Sequence, residues 1–308
     1  MHANISIFRK ILHLIPVIPV YLIIFTVIYA FTQNYTLNHD NNSSSFKTII
    51  LITFYFSATM VLVCHSFAMF SNPGEVKIQP QDYENLNPKI STVISHALYC
   101  KKCNGSRPER SHHCKVCKKC IKRMDHHCPW IANCVGLGNI KSFYLFLFYA
   151  TLGDLIASVV LYFKFKETDM TGKLKNQTAS TILELIVIFK DQLILVIGIM
   201  LAIAMTVSIG FLFYLQTKNL FDDITTLEII CEFKSKSGKT GKKFENFKSI
   251  MGDKVYKWFL PIYSVDVQMI RSESKLNSLN SNGNNYISLT DNVHEFDDSI
   301  HINLNLSD

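Results

Sequence analysis

Charge is scarce in this sequence. Asp, Glu, Lys and Arg make up 18% of its 308 residues, against about 25% in an average soluble protein. With 48% hydrophobic and 12% aromatic residues, that deficit excludes a charged, solvating chain and argues against an ordinary soluble domain. No internal repeat is evident, and so no recognition module such as an ankyrin array. No small-residue cleavage site follows the first apolar run, which is also too long for a signal-peptide core, so it is expected to stay as a membrane span. Beyond about Ser272 the chain is rich in Asn and Ser and poor in core-forming residues, and is expected to be disordered. Nothing in the composition points to a nucleic-acid partner.

What the sequence does have is apolar runs of about 20 residues, the length that crosses a bilayer. Four stand out, roughly Ile11–Phe31, Thr48–Phe70, Phe143–Phe165 and Leu193–Leu215. A polytopic, all-α membrane protein with four transmembrane helices is the expected architecture. Pro16 and Pro19 near the start of the first span are tolerable in a helix bundle. Thr181–Phe189 is expected to form a short interfacial helix leading into the fourth span.

Basic residues set the expected orientation. The link Thr32–Lys47 carries one, Lys47, whereas the link between spans two and three carries twelve and the region from Lys218 onward eleven. The third link, Lys166–Gln192, has four, balanced by acidic residues. The N-terminus, the second link and the C-terminal region are therefore expected in the cytosol, where thiols stay reduced and cysteines are ligands or catalysts rather than disulfide partners.

Seven of the nine cysteines fall between Cys100 and Cys134. Cys-x2-Cys pairs with histidines nearby have zinc-ligand spacing, and two four-coordinate zinc sites need eight ligands. Six cysteines and two histidines supply them, which leaves one thiol over. Within the block, Asp125-His126-His127-Cys128 has the makings of an activated nucleophile: His126 can accept the thiol proton and Asp125 can hold the imidazole. In an extended backbone His127 points to the opposite face and is available to a metal. A purely structural zinc module, a scaffold or trafficking adaptor at a membrane, is the alternative. The unused Cys128 and the short tethers to two membrane spans favour chemistry on an amphiphilic substrate.

The spacing Cys100-x2-Cys103-x9-His113-Cys114-x2-Cys117-x2-Cys120-x4-Asp125-His126-His127-Cys128-x5-Cys134-x4-Asn139-x3-Phe143 resembles the cysteine-rich domain of the DHHC protein S-acyltransferases (palmitoyltransferases). Thr225-Thr226-Leu227-Glu228 looks like that family's TTxE motif, and Asn246 through Ile262 is similar to its C-terminal segment. Asn72-Pro73-Gly74 departs from the usual Asp-Pro-Gly. The resemblance implies one zinc on Cys100, Cys103, His113 and Cys120 and another on Cys114, Cys117, His127 and Cys134, both structural. It implies Cys128, His126 and Asp125 as the catalytic residues, acyl-CoA (palmitoyl-CoA) as co-substrate, and cysteine-bearing membrane-associated proteins as partners. Thr226 is expected to hydrogen-bond near Asp125, and Asn246 to brace the C-terminal segment. Lys115, Lys118, Lys119, Lys122 and Arg123 are expected to offset the thiolate charge as surface cations, and each either attracts the phosphates of coenzyme A or is merely solvated.

The resulting division is a cytosolic N-terminus (1–10), spans one and two (11–70), a cytosolic two-zinc domain between helices 2 and 3 (71–142, core 100–143), spans three and four (143–215), a C-terminal region (216–271) and a tail (272–308). The membrane is expected to be the Golgi, the endoplasmic reticulum or the plasma membrane. Along span three a turn of about 100° per residue puts Phe143, Phe146, Leu147, Ala150, Gly153 and Asp154 on one broad face. That face is expected to line an acyl tunnel, with Phe143 and Phe146 at its mouth. Gly153 either leaves the far end open or only permits close helix packing.

Overall fold

The computed structural model describes residues 14–36, 45–78, 99–167, 182–231 and 243–262. The expected N-terminal segment (1–10), the expected tail (272–308), and residues 37–44 and 168–181 of the first and third links lie outside the described residues. Among the described residues four helices are long and apolar enough to cross a membrane, which makes the chain a multi-pass membrane protein. They are α1 (Val17–Phe31), α2 (Ser45–Phe70), α3 (Ile140–Glu167) and α4 (Ile182–Phe221).

Each differs in extent from the hydropathy reading for a local reason. Helix α1 starts after Pro16, and Pro19 falls in its first turn, where a missing N–H costs no helical bond. Helix α3 starts at Ile140 rather than Phe143. The segment expected as a separate interfacial helix is the start of α4, because Lys190-Asp191-Gln192 offers neither glycine nor proline to break it.

Away from the cysteine block the bundle is closed by tight apolar contacts. Phe31 and Phe54 stack with centroids 3.7 Å apart, and Leu161 and Leu195 pack beside them. Gly198 is the packing glycine here: a Cβ on it would lie 2.5 Å from the Cβ of Ala30. Between α3 and α4, Ser158 and Thr206 share a 3.2 Å hydrogen bond.

The cysteine block sits between α2 and α3 as short strands. They are β1 (Glu75–Val76), β2 (Tyr99–Cys100), β3 (Gly105–Ser106), β4 (Ser111–Cys114), β5 (Lys119–Lys122), β6 (His126–Cys128) and β7 (Asn133–Val135). Antiparallel pairing joins β1–β5–β4, β2–β3 and β6–β7. Two asparagines fasten the block to the end of α2. Asn133 donates from Nδ2 to the carbonyls of Ala68, Met69 and Ser71 at 3.0–3.2 Å. Asn139 donates to those of Ala68 (3.0 Å) and Cys134 (2.8 Å). They satisfy carbonyls that a helix C-terminus leaves without partners. Asn72 does the work an aspartate would: its Oδ1 accepts from the amides of Gly74 (2.9 Å) and Glu75 (2.8 Å). The turn demands glycine at position 74, where φ is +101°.

Beyond α4 come the short helices α5 (Thr226–Ile230) and α6 (Lys243–Met251), then a 3₁₀ turn at Val255–Phe259. Lys141 of α3 ties this end down, donating from Nζ to the carbonyls of Met251 (2.9 Å) and Lys257 (2.8 Å). Tyr149 donates to the Phe259 carbonyl at 2.8 Å. Asn246 donates to the Phe221 carbonyl at 3.0 Å, so its brace reaches the end of α4.

Candidate functional site

The sequence places its cysteines in pairs, and the strand register completes each pair. Cys100/Cys103 and Cys114/Cys117 form knuckles whose next residues, Asn104 and Lys118, are both left-handed with φ of 52° and 57°. In the β4–β5 hairpin His113 faces Cys120, and in the β6–β7 hairpin His127 faces Cys134. Two clusters result, Cys100–Cys103–His113–Cys120 and Cys114–Cys117–His127–Cys134, each with its ligand atoms within 4.8 Å of one another. Each member of the first is followed fourteen residues later by its counterpart in the second. That short repeat was open to sequence inspection, and the apparent absence of any repeat is corrected accordingly.

The donor atoms have the separations a tetrahedral ion requires. With metal–sulfur and metal–nitrogen bonds of about 2.3 and 2.05 Å, S···S should be about 3.8 Å and S···N about 3.6 Å. In the first cluster Cys103–Cys120 is 3.8 Å, and His113 Nδ1 lies 3.6, 3.2 and 3.9 Å from the sulfurs of Cys100, Cys103 and Cys120. In the second Cys117–Cys134 is 3.4 Å, and His127 Nδ1 lies 3.7, 3.4 and 3.6 Å from Cys114, Cys117 and Cys134. Both sets can hold a metal ion.

Cys128 belongs to neither cluster. It ends β6, is 5% exposed, and leads into a 3₁₀ turn, Pro129–Ile131. Beside it His126 directs Nδ1 to Asp125 Oδ2 at 2.7 Å. Asp125, 1% exposed, also accepts from Gln216 Nε2 (2.9 Å), the Thr226 amide (2.7 Å) and Thr226 Oγ1 (3.1 Å). Burial works against a charge on Asp125, but these donors outweigh it and hold the carboxyl below its ordinary range. Burial likewise opposes a proton on His126, yet hydrogen bonding to Asp125 and Cys128 wins and pushes its pKa up to about 9. An imidazole so held can take the Cys128 proton and keep it, leaving a thiolate beside a cation.

Behind Asp125 lies an ion network that spacing alone did not reveal. Arg110 forks onto Glu228 (2.7 and 2.9 Å) and Asp223 (2.9 Å), and Arg123 pairs with Asp223 at 2.6 Å. Glu228 also closes a capping box with Thr225 that starts α5. This fixes the amide of Thr226 where Asp125 needs it. Arg123, grouped above with the surface cations, is only 7% exposed and is committed to this network. Lys119 pairs with Glu75 at 2.6 Å. Gln216 and Arg110 were missed because both act across more than ninety residues of sequence, and neither stands in a local pattern.

A cavity of about 540 Å³ opens under Cys128 into the helix bundle. His126, Cys128, Phe143 and Gln216 line it, as do Phe146, Leu147, Ala150, Gly153 and Asp154 further along α3. The six residues grouped on one face of span three thus share one wall. A Cβ on Gly153 would meet only Ser57, at an ordinary 3.6 Å, so helix packing does not require glycine there.

The family model of the DHHC palmitoyltransferases matches residues 94–232. Among curated proteins the chain is 30% identical to "Probable protein S-acyltransferase 13" of Arabidopsis thaliana, over 72% of this chain and 75% of that one. It is 32% identical to "Palmitoyltransferase ZDHHC3" of Homo sapiens, over 74% of each. With "Probable protein S-acyltransferase 12" of Arabidopsis thaliana it shares 27% over 72% of this chain and 76% of the relative. Two interleaved metal-ligand sets, a thiol left outside both and these likenesses lead to one assignment: the chain belongs to the DHHC palmitoyltransferase family.

Proposed function

We propose that this protein transfers long-chain acyl groups from acyl-CoA to cysteine thiols of membrane-associated proteins, with Cys128 as nucleophile. One observation carries the reading: the thiol outside both metal clusters opens onto an apolar cavity and sits beside an imidazole held by a buried carboxylate. In the first step the Cys128 thiol gives its proton to His126 and the thiolate attacks the thioester carbonyl. The carbon–sulfur bond to coenzyme A breaks, and CoA leaves as its thiol with that proton. In the second step a partner thiol gives its proton to His126 and its sulfur attacks the acyl-Cys128 carbonyl. The carbon–sulfur bond to Cys128 breaks, and Cys128 leaves as the thiol with that proton. Each step trades one thioester for another, so the protein's task is positioning and thiolate formation.

The two metals are read as zinc. Cys100, Cys103, His113 and Cys120 would hold one, and Cys114, Cys117, His127 and Cys134 the other. Four protein ligands leave no open position, so zinc would supply structure alone. The basic excess between α2 and α3 supports a cytosolic placement of this end. Lys115, Lys118 and Lys122 are proposed to attract the phosphates of CoA. The direct test is incubation of purified protein with labelled palmitoyl-CoA. Hydroxylamine-sensitive label on the protein is expected, and a non-catalytic metal scaffold would acquire none.

The cavity supports burial of the acyl chain along α3, where each CH2 is worth about 0.8 kcal/mol. Gly153 is about 15 Å from Phe143 along the helix axis. A tyrosine at 153 would fill the passage there. Gly153→Tyr is expected to shift the preference for 14 over 18 carbons by at least about ten-fold, since four methylenes amount to roughly 3 kcal/mol. Acylation rates with a series of acyl-CoAs measure this, and an unchanged profile would place the end of the chain elsewhere.

A further inference from the structure

We infer that His65, oriented by Tyr21, is a positioning residue for Cys128: it pins the turn that follows the nucleophile to the membrane helices. The inference rests on the acyltransferase reading above.

The turn Pro129–Ile131 begins directly after Cys128 and ends in left-handed Ala132, with φ +48°. Its Trp130 carbonyl points at α2, where His65 is fully buried. A carbonyl in such a place needs a donor. His65 Nε2 lies 3.1 Å from it, and since a carbonyl can only accept, Nε2 carries the proton. In a neutral ring Nδ1 is then the acceptor. The Tyr21 hydroxyl on α1, 3.2 Å away, is its donor. One tautomer satisfies both contacts, and Tyr21 selects it.

The placement of His65 separates this role from substrate contact. Cys128, Pro129, Trp130 and Ile131 line the cavity, whereas His65 does not. It stands behind them, with its ring edge against Phe146 at 5.2 Å. Asn133 holds the far end of the same turn to the last carbonyls of α2. The stretch carrying the nucleophile is thus fixed at two points to one helix, and the first depends on a hydroxyl from another. With the Trp130 contact gone, the turn keeps one of its two polar anchors to α2, and the thiol at the end of the β6–β7 hairpin is less sharply positioned between His126 and the cavity mouth.

The test is single-turnover acylation of the full chain by palmitoyl-CoA, with metal content measured on the same samples. His65→Ala is expected to lower the rate at saturating acyl-CoA by about ten-fold, equal to about 1.4 kcal/mol. The half-saturating concentration, the chain-length profile and the metal content should stay as in the wild type. His65→Gln, whose side-chain amide can donate from nearly the Nε2 position, should restore most of the rate. Tyr21→Phe, which removes only the hydroxyl, should slow acylation by about three-fold.

A wild-type rate in His65→Ala overturns the inference. So does a loss seen only in the half-saturating concentration, or a glutamine variant no better than alanine. If His65→Ala loses metal and does not fold, the isosteric Tyr21→Phe decides: slower acylation at unchanged half-saturation supports the inference and an unchanged rate overturns it. A wild-type protein that never acylates overturns the acyltransferase reading itself, and this inference with it.

Discussion

Cys128→Ser is expected to abolish both the acyl-enzyme and transfer to a partner while two metal ions stay bound. Serine keeps the shape but not the acidity: a hydroxyl beside His126 does not ionise near neutral pH as a thiol can. Replacement of a nucleophile in such a constellation costs on the order of 10³ or more in rate. Metal content should not change, because Cys128 lies outside both clusters and each cluster has four donors without it. Hydroxylamine-sensitive label and elemental analysis of one sample test both halves. Loss of one metal ion would make Cys128 a ligand and remove the argument that it is a nucleophile.

The parts of this site that were legible in the sequence are those encoded by short-range spacing. A knuckle needs its two cysteines three residues apart, and a hairpin puts His113 opposite Cys120 and His127 opposite Cys134. Such constraints are written into a few consecutive residues. The four spans were legible for a similar reason, since bilayer thickness sets the length of an apolar run. Their ends were less so: α3 begins three residues before its expected start, and α4 absorbs the segment expected as a separate helix. Neither change alters the hydropathy pattern.

What spacing could not reveal is how distant polar groups meet. Asp125 looked like a simple partner for His126, yet three of its four donors come from Gln216 and Thr226. Thr226 is in turn held by a helix cap that depends on Glu228, and Glu228 on Arg110. Nothing in the local sequence around Arg110 announces that pairing. His65 lies in an apolar span, and its two partners are 44 and 65 residues away in sequence. The Cys128 end of the bundle is therefore ordered by contacts that only the fold creates.

The adjacent histidines His126 and His127 give the sharpest division of labour. His127→Ala is expected to cost a metal ion and the fold of the cysteine block, whereas His126→Ala should keep both metals and lose acylation. On β6 neighbouring side chains leave on opposite faces. His127 thereby turns Nδ1 into the sulfurs of Cys114, Cys117 and Cys134, and His126 turns its own to Asp125. Structural zinc binding is worth about 10–16 kcal/mol in small domains, as much as the whole stability of a typical domain. The two ligand sets also interleave along the chain, so freeing one ion loosens the hairpin that holds the other. The His127 variant should show a reduced metal count, early thermal unfolding and rapid proteolysis between α2 and α3. Removing His126 leaves every ligand in place but takes away the proton acceptor and the cation beside the thiolate, a loss of about 10²–10⁴ in rate. Equal metal loss in the two variants would show that the alternation along β6 does not divide metal binding from catalysis.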